Sequence, residues 1–198
     1  MNKNSPLLPA IGIVIALSAA AFGWYHTNQI PDNEFPQFKL ALDLQSNEGP
    51  FKLSDIQGKV GLVFFGYAHC PDVCPATMVT FAHTLDLLSD KERDKVRSLF
   101  ISIDPKRDTP ESMAKYARFF HPGITGLSGN EDQVEAAAKS FMIAYEKDKP
   151  NQIGNYSMNH STYLFIVRPD GKLGQLMGHK DRPEEIANVL RYWMQWAD

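Results

Sequence analysis

The sequence contains little cysteine and little net charge. Its 198 residues include two cysteines, 20 lysines and arginines, and 23 aspartates and glutamates, which gives a formal net charge of −3 at pH 7. Nucleic-acid binding usually requires a strongly basic face, so no nucleic-acid partner is expected. The chain also lacks internal repeats and low-complexity tracts. Its apolar fraction of 43% is ordinary for a globular protein, and its length suffices for one domain with a substantial core.

Charge is absent altogether from residues 6–25, PLLPAIGIVIALSAAAFGWY, and Lys3 lies just upstream. A helix over residues 7–25 would be about 28 Å long, close to the roughly 30 Å of a bilayer's hydrocarbon core. The positive-inside rule then predicts a cytoplasmic N-terminus and an exported working domain. A signal peptide cleaved near the alanines at 19–21 is the alternative. No cysteine follows the run, which excludes a lipid-modified N-terminus.

These features predict a protein that crosses the bacterial inner membrane once, with its main domain in the periplasm. Residues 1–6 are the predicted cytoplasmic N-terminus, 7–25 the transmembrane helix, 26–36 a polar linker (HTNQIPDNEFP), and 37–198 the working domain.

Strand and helix patterns alternate along the predicted domain. A short hairpin is expected first, and VGLVFFG (60–66) is then a continuous apolar run typical of a strand buried on both faces. The next helix is predicted to begin at Pro75, because proline is favoured at the first helical position, and to reach Leu88. The remaining predictions are strands at 96–103, 124–127, 162–167 and 173–177, and helices at 110–120, 131–144 and 183–196. This order predicts an α/β, thioredoxin-like three-layer sandwich.

The two cysteines lie in HCPDVCP, residues 69–75, at the turn from the buried strand to the helix. A structural disulfide, a redox pair and a metal site are the three alternatives. A bridge across three residues would constrain the unfolded chain little, which favours chemistry over structure. The helix dipole at such a turn favours thiolate, so at least one cysteine should have a lowered pKa. This placement suits a redox dithiol and a thiolate metal site equally, and the three intervening residues slightly favour metal.

A metal site here needs a third ligand, and His160 is the candidate. It precedes the 162–167 strand, and in thioredoxin-like folds that part of the chain lies against the cysteine loop. Two thiolates and an imidazole form a soft set that suits Cu(I) or zinc and tolerates Cu(II). No fourth ligand for structural zinc is obvious, so copper fits better. His69 is expected on the opposite side of the loop. The other side chains considered are expected to be solvated or packed: His26, His83, His121, Met158 and Met177.

Three segments together resemble the Sco/SenC family of copper-binding, membrane-anchored, thioredoxin-like proteins. They are FFGYAHCPDVCP, ISIDPKRDTP and NHSTYLFIVRPDGKL, and the resemblance extends over residues 35–196. It implies that Cys70, Cys74 and His160 bind copper as Cu(I), Cu(II) or both. It also implies delivery of copper to the binuclear copper site of a cytochrome c oxidase subunit, or reduction of that subunit's thiols. A periplasmic thiol reductase and another copper carrier are further implied partners.

Two positions depart from the family pattern. Asn159 stands where aspartate is common, which is expected to alter hydrogen bonding to the imidazole, and Ala68 replaces a frequent threonine. The segment DPKRDTP has two interpretations: Asp104 supports the metal site or partner docking, or the segment is a loop in which Asp108 or Thr109 caps the next helix. Asp72 is expected to cap the first helix or contact a partner.

Copper chaperone is therefore the leading functional prediction. A periplasmic thiol–disulfide oxidoreductase that acts on the oxidase subunit or on other protein disulfides is the main alternative, since it would use the same dithiol without metal. A peroxidase is a third possibility on the same broad fold.

Overall fold

The computed structural model describes residues 39–197. The predicted transmembrane helix at 7–25 and the linker at 26–36 lie outside these residues. Within 39–197, no helix combines the length and the apolar character needed to cross a membrane.

The described residues form short strands and helices that alternate along the chain. The strands are β1 (Asp43–Ser46), β2 (Gly49–Lys52), β3 (Val60–Gly66), β4 (Val96–Ser102), β5 (Ile124–Leu127), β6 (Tyr145–Lys147), β7 (Met158–His160), β8 (Tyr163–Val167) and β9 (Leu173–Gly178). The helices are α1 (Val73–Asp86), α2 (Asp90–Arg93), α3 (Pro110–Phe120), α4 (Glu131–Ser140) and α5 (Pro183–Met194).

A five-stranded mixed sheet in the order β5-β4-β3-β8-β9 forms the centre of the fold. Strand β3 is parallel to β4, and β4 to β5, whereas β8 is antiparallel to both β3 and β9. Every residue of β3 is buried, as its continuous apolar run predicts. Helix α1 packs against α5, and α3 packs along β5. The predicted α/β, thioredoxin-like architecture is thereby confirmed.

Aromatic side chains fill the core beside β3. Phe65 contacts Phe165 edge to face with ring centroids 6.1 Å apart, and Phe141 with centroids 5.1 Å apart. Each fully buried phenylalanine contributes about 1.5–3 kcal/mol through the hydrophobic effect. This packing surrounds Phe65 near the carboxyl end of β3, and the cysteine loop begins directly after that end.

The structure differs from the sequence-based element boundaries at two places that matter for the site. Helix α1 begins at Val73 rather than Pro75, so Cys74 lies within its first turn. Helix α4 ends at Ser140 rather than residue 144, and Met142 follows with φ of 56° in the left-handed region, which a continuing helix cannot accommodate.

A small antiparallel hairpin follows α4 and was not predicted. It pairs β6 with β7, and Tyr145 lies opposite His160. Strands of three residues are too short to show a recognisable alternation of apolar and polar residues. The hairpin nevertheless determines where His160 is placed, because His160 is the last residue of β7.

Candidate metal centre

Three elements bring the predicted ligands together. Cys70 lies in the β3–α1 loop, Cys74 in the first turn of α1, and His160 at the end of β7. The Cys74 Sγ atom is 3.7 Å from Nε2 of His160, and the backbone N–H of Cys74 donates to Sγ of Cys70 at 3.4 Å. Both cysteines are free thiols. The structure therefore places Cys74 next to both Cys70 and His160.

The imidazole of His160 is oriented by the backbone. Its Nδ1 lies 2.8 Å from the carbonyl oxygen of Ser161, and a carbonyl can only accept, so Nδ1 carries the proton. The lone pair of Nε2 then points towards Cys74. Burial lowers the pKa of His160, although the Ser161 hydrogen bond opposes this, and the ring is therefore neutral at pH 7. A neutral imidazole with one free nitrogen is the form that binds metals.

The two thiols differ in environment. Burial alone would raise the pKa of the half-buried Cys70, but hydrogen bonds from the backbone N–H groups of Asp72 and Cys74 outweigh it, so the pKa is lowered. The pKa of Cys74 is strongly raised by burial and further by the nearby Cys70. The predicted lowered pKa of at least one cysteine is confirmed at Cys70.

These side chains do not form a closed cage. Residues 39–197 contain no group of three or more His, Cys, Asp or Glu side chains whose arrangement could hold a metal ion. The Sγ atom of Cys70 accepts from the first turn of α1 instead. By donor type, two sulfurs and a neutral imidazole suit a soft ion such as Cu(I). The geometry is that of a reduced dithiol with a histidine beside it.

Gly66 creates the space for Cys74, and its role was not predicted. A Cβ atom at this position would lie 2.8 Å from Sγ of Cys74 and 2.8 Å from the ring of Phe100. Contacts below 3.0 Å force the neighbouring atoms to move, so a side chain at residue 66 would displace the thiol. A glycine in a fully buried strand suggests a close approach of this kind, which was a signal available in the sequence.

Tyr156, from the segment between β6 and β7, belongs to a cluster that was also missed. Its hydroxyl donates to Oδ1 of Asp104 at 2.9 Å, and Nη1 of Arg107 donates to its carbonyl oxygen at 2.9 Å. The Arg107 guanidinium lies 3.6 Å from the centre of the Tyr156 ring and also donates to Asp104. Asp104 therefore joins the loop after β4 to the hairpin that carries His160. No sequence motif marks Tyr156.

Asp108 connects the loop after β4 to the cysteine loop. Its Oδ2 atom accepts from the Ser102 hydroxyl at 2.8 Å and from the Ala68 backbone N–H at 3.1 Å. Of the two residues predicted to cap α3, Thr109 is the cap, since its hydroxyl accepts from the N–H of Ser112. Asp108 supports the cysteine loop instead.

A comparison with known proteins identifies the family. The family model described as SCO1/SenC matches residues 29–195. The chain belongs to the SCO1/SenC family. The resemblance found in the three sequence segments is thereby confirmed.

Individual relatives agree with this membership of the SCO1/SenC family. The mitochondrial SCO2 protein of Saccharomyces cerevisiae is 36% identical over 152 residues, which cover 75% of this chain and 50% of that protein. The chain thus spans about half the length of that relative. The solution structure of apo Sco1 from Thermus thermophilus has a TM-score of 0.73 and 34% identity, covering 80% of this chain and 92% of its own. The copper-bound ScoI structure of Bradyrhizobium japonicum has a TM-score of 0.72 and 34% identity, and the match covers 77% of this chain and 97% of the ScoI chain.

The structure bears on two expectations about this SCO1/SenC chain. The amide of Asn159 donates to Asp148 at 2.7 Å and does not hydrogen bond to the imidazole of His160. Successive residues of a strand point to opposite faces, so Asn159 and His160 diverge. The side chain of Asp72 makes no capping hydrogen bond at the start of α1, so the capping alternative is wrong, and contact with a partner stays a prediction.

The structure also shows where most of the other side chains considered in the sequence lie. His83 is exposed on α1, while Met158 and Met177 are buried, as expected. His121 packs near Asp86, with its Nε2 3.6 Å from Oδ1. His69 lies beside Asp108, and His26 is outside the described residues.

Proposed function

We propose that this SCO1/SenC protein binds one copper ion through Cys70, Cys74 and His160 and delivers it to the copper-bearing subunit of a cytochrome c oxidase. The observation that carries the proposal is the 3.7 Å approach of Nε2 of His160 to Sγ of Cys74, with the free lone pair of the imidazole directed at the thiol. The copper-bound ScoI of Bradyrhizobium japonicum, similar over 77% of this chain, supports copper as the ion.

Copper binding replaces protons at this site. Thiols bind metal as thiolates, and burial raises the pKa of Cys74, so the ion must displace a proton that Cys74 otherwise keeps at neutral pH. His160 is already neutral and needs no deprotonation. Acidification protonates the thiolates and then the imidazole, so copper affinity falls as the pH falls.

The exported location completes the proposal. Residues 7–25 would anchor the protein in the bacterial inner membrane and place residues 37–198 in the periplasm. Thiols there tend to be oxidised, so a periplasmic thiol reductase would keep Cys70 and Cys74 competent. Another copper carrier would supply the ion. The disulfide form has no paired thiolates for copper, so oxidation would stop delivery.

The asymmetry of the two thiols favours a second candidate function, thiol–disulfide oxidoreduction. Cys70 is half-buried with a lowered pKa, as an attacking thiol requires, and Cys74 is buried behind it, as a resolving thiol is. Acting on the oxidase subunit or on other protein disulfides, the same pair would reduce thiols without metal. Only the copper function needs His160 as a ligand.

Copper titration of the reduced full chain tests the proposal. One equivalent of Cu(I) should bind against a competing chelator, and Cu(II) should give a thiolate charge-transfer band that Cys70→Ala and Cys74→Ala each abolish. His160→Ala should weaken binding by about tenfold or more, since it removes a direct ligand. His83→Ala, which removes an exposed histidine of α1, is the matched control and should bind as the wild type does.

Two results would contradict the proposal. Unchanged affinity of His160→Ala would remove His160 from the site. Copper binding that the cysteine variants do not weaken would leave a redox dithiol, and reduction of a protein disulfide by the wild type would then establish the second function.

A further inference from the structure

Asp108 carries a buried oxygen that the protein leaves without a hydrogen bond. Its side chain is 0% exposed, and its Oδ2 atom is fully used by Ser102 and Ala68. No donor among the described residues satisfies Oδ1. Buried polar atoms are rarely left unpaired, and such an exception calls for a functional explanation.

The group that faces this oxygen is the imidazole of His69. Its Nδ1 atom lies 3.5 Å from Oδ1 of Asp108, and its side chain is 55% exposed. A carboxylate can only accept, so the pairing places the proton of a neutral His69 on Nδ1 and leaves the lone pair on Nε2. Histidines that bind metals usually have their other nitrogen held by a carboxylate or a carbonyl in this way.

His69 also borders an open groove beside the cysteines. The groove has a volume of about 410 Å³, and its lining includes His69, Pro71, Arg107, Asp148, Lys149 and Tyr156. His69 and Pro71 are the chain neighbours of Cys70, the more exposed of the two cysteines, so the groove opens beside the cysteine loop. Cys74 and His160 lie further in, where Cys74 is 0% exposed.

We propose that His69, positioned by Asp108, is a further copper-contacting residue, a transient ligand through which copper enters and leaves the site. This inference rests on the proposed copper function. Cys70, Cys74 and His160 hold the ion at equilibrium, and His69 acts during exchange. Imidazole is a good ligand for copper in both common oxidation states, and a low-coordinate ion has room for one more donor.

The exchange step conserves electrons and atoms. A bond forms between copper and Nε2 of His69 as the bond between copper and Sγ of Cys70 breaks. Copper remains Cu(I) throughout, and the released thiolate of Cys70 takes a proton from water. The ion is then held by His69 together with Cys74 and His160, and its bonds to these three residues break as bonds to a recipient's ligands form.

Transfer kinetics of the copper-loaded full chain test the role of His69. Release of Cu(I) to a colorimetric chelator should slow by about tenfold in His69→Ala, while the equilibrium affinity stays near the wild-type value. Added imidazole should restore the rate in His69→Ala and leave the wild-type rate unchanged, which a merely structural role would not produce. His83→Ala is the matched control and should release copper at the wild-type rate.

Asp108→Asn tests the positioning role. The asparagine oxygen can still accept from Ala68 and Ser102, but its amide would face Nδ1 of His69 and donate to it, which moves the proton of His69 to Nε2. Release should therefore slow as in His69→Ala, and the double variant should be no slower than either. In the metal-free protein, ¹⁵N NMR should show the Nδ1–H tautomer of His69 in the wild type and the Nε2–H tautomer in Asp108→Asn.

Each result decides a separate point. Wild-type release by His69→Ala, or a wild-type His69 with its proton on Nε2, would overturn the inference. If Asp108→Asn slows release equally in a His69→Ala background, Asp108 does not act through His69. The equilibrium titration with His160→Ala tests separately whether the protein binds copper through this site. A failure of the proposed copper function can therefore be distinguished from a failure of the role of His69 in release.

Discussion

Nε2 of His160 lies 3.7 Å from Sγ of Cys74, although 86 residues separate the two along the chain. Helix α1 contributes the thiol and the β6–β7 hairpin contributes the imidazole. Cys74 is 0% exposed, whereas Cys70 is half-buried. Cys74 is therefore shielded from solvent, and Cys70 is the more accessible of the two thiols.

This asymmetry predicts selective alkylation. In the reduced, metal-free protein at pH 7, iodoacetamide should modify Cys70 at least about tenfold faster than Cys74, because one unit of pKa changes the thiolate fraction tenfold. Timed quenching and peptide mass spectrometry measure both rates in one sample. The two rates should become equal in denaturing urea, which serves as the control. Equal rates in the folded protein would contradict the description of the two thiols.

Gly66→Ala is predicted to disturb the site through Cys74. Its Cβ would meet Sγ of Cys74 at 2.8 Å, and such overpacking usually costs about 1–3 kcal/mol. Copper affinity should fall together with the free energy of unfolding. Gly61→Ala is the matched control on the same strand, because its Cβ would meet Val167 at 2.9 Å, away from the cysteines. The control should lose stability but keep its copper affinity, and equal losses of affinity would refute the specific role of Gly66.

The contacts that Arg107 and Tyr156 make with Asp104 predict how much individual substitutions lower the free energy of unfolding. Arg107→Ala should lower the free energy of unfolding by about 3 kcal/mol, because Asp104, with a side chain 4% exposed, loses its cation. Tyr156→Phe removes one hydrogen bond to Asp104 and should cost about 1 kcal/mol. Urea denaturation measures both. Arg118→Ala breaks an ion pair with Glu48 whose side chains are 55% and 78% exposed, and it should cost at most about 1 kcal/mol. A cost for Arg118→Ala as large as that for Arg107→Ala would contradict the interpretation.

The lowered pKa of Glu92 predicts that this residue contributes to stability in a pH-dependent way. Hydrogen bonds from Arg191 and Ser89 lower its pKa from the usual 4.5 to about 2. Because the folded-state pKa is the lower one, the stabilisation is complete above pH 4.5 and is lost as the pH falls towards 2. The Glu92 and Arg191 side chains are 30% and 39% exposed, so solvent screening reduces the contribution to about 1 kcal/mol.

Urea denaturation of Glu92→Gln tests this contribution. The variant should be about 1 kcal/mol less stable than the wild type at pH 7, and the difference should shrink on acidification. Glu131→Gln, which breaks an ion pair with Lys106 whose side chains are 70% and 62% exposed, should change little at either pH. A difference between Glu92→Gln and wild type that stays constant down to pH 2 would show that the charge of Glu92 is not its source.

Much of the fold follows from local sequence patterns. The continuous apolar run of β3 and the cap residue at the start of α3 each depend on neighbouring residues, so they can be recognised without coordinates. The hairpin of β6 and β7 could not be recognised, because three-residue strands have no detectable period. Its pairing is set by contacts such as Asn159 with Asp148, which are formed only on folding.

The sequence by itself determined the order of the main strands and helices, the cysteine pair at a strand-to-helix turn, the choice of His160 and the resemblance to the SCO1/SenC family. Residue type and spacing along the chain carry all of these. Only the tertiary structure decided which thiol keeps its proton, which nitrogen of His160 is free, and that Asp108 faces His69. These properties depend on burial and on hydrogen bonds between distant segments, such as Ala68 with Asp108, 40 residues apart, and Tyr156 with Asp104, 52 residues apart. No local pattern encodes such distances, because they arise only when the separate segments pack against the same edge of the sheet.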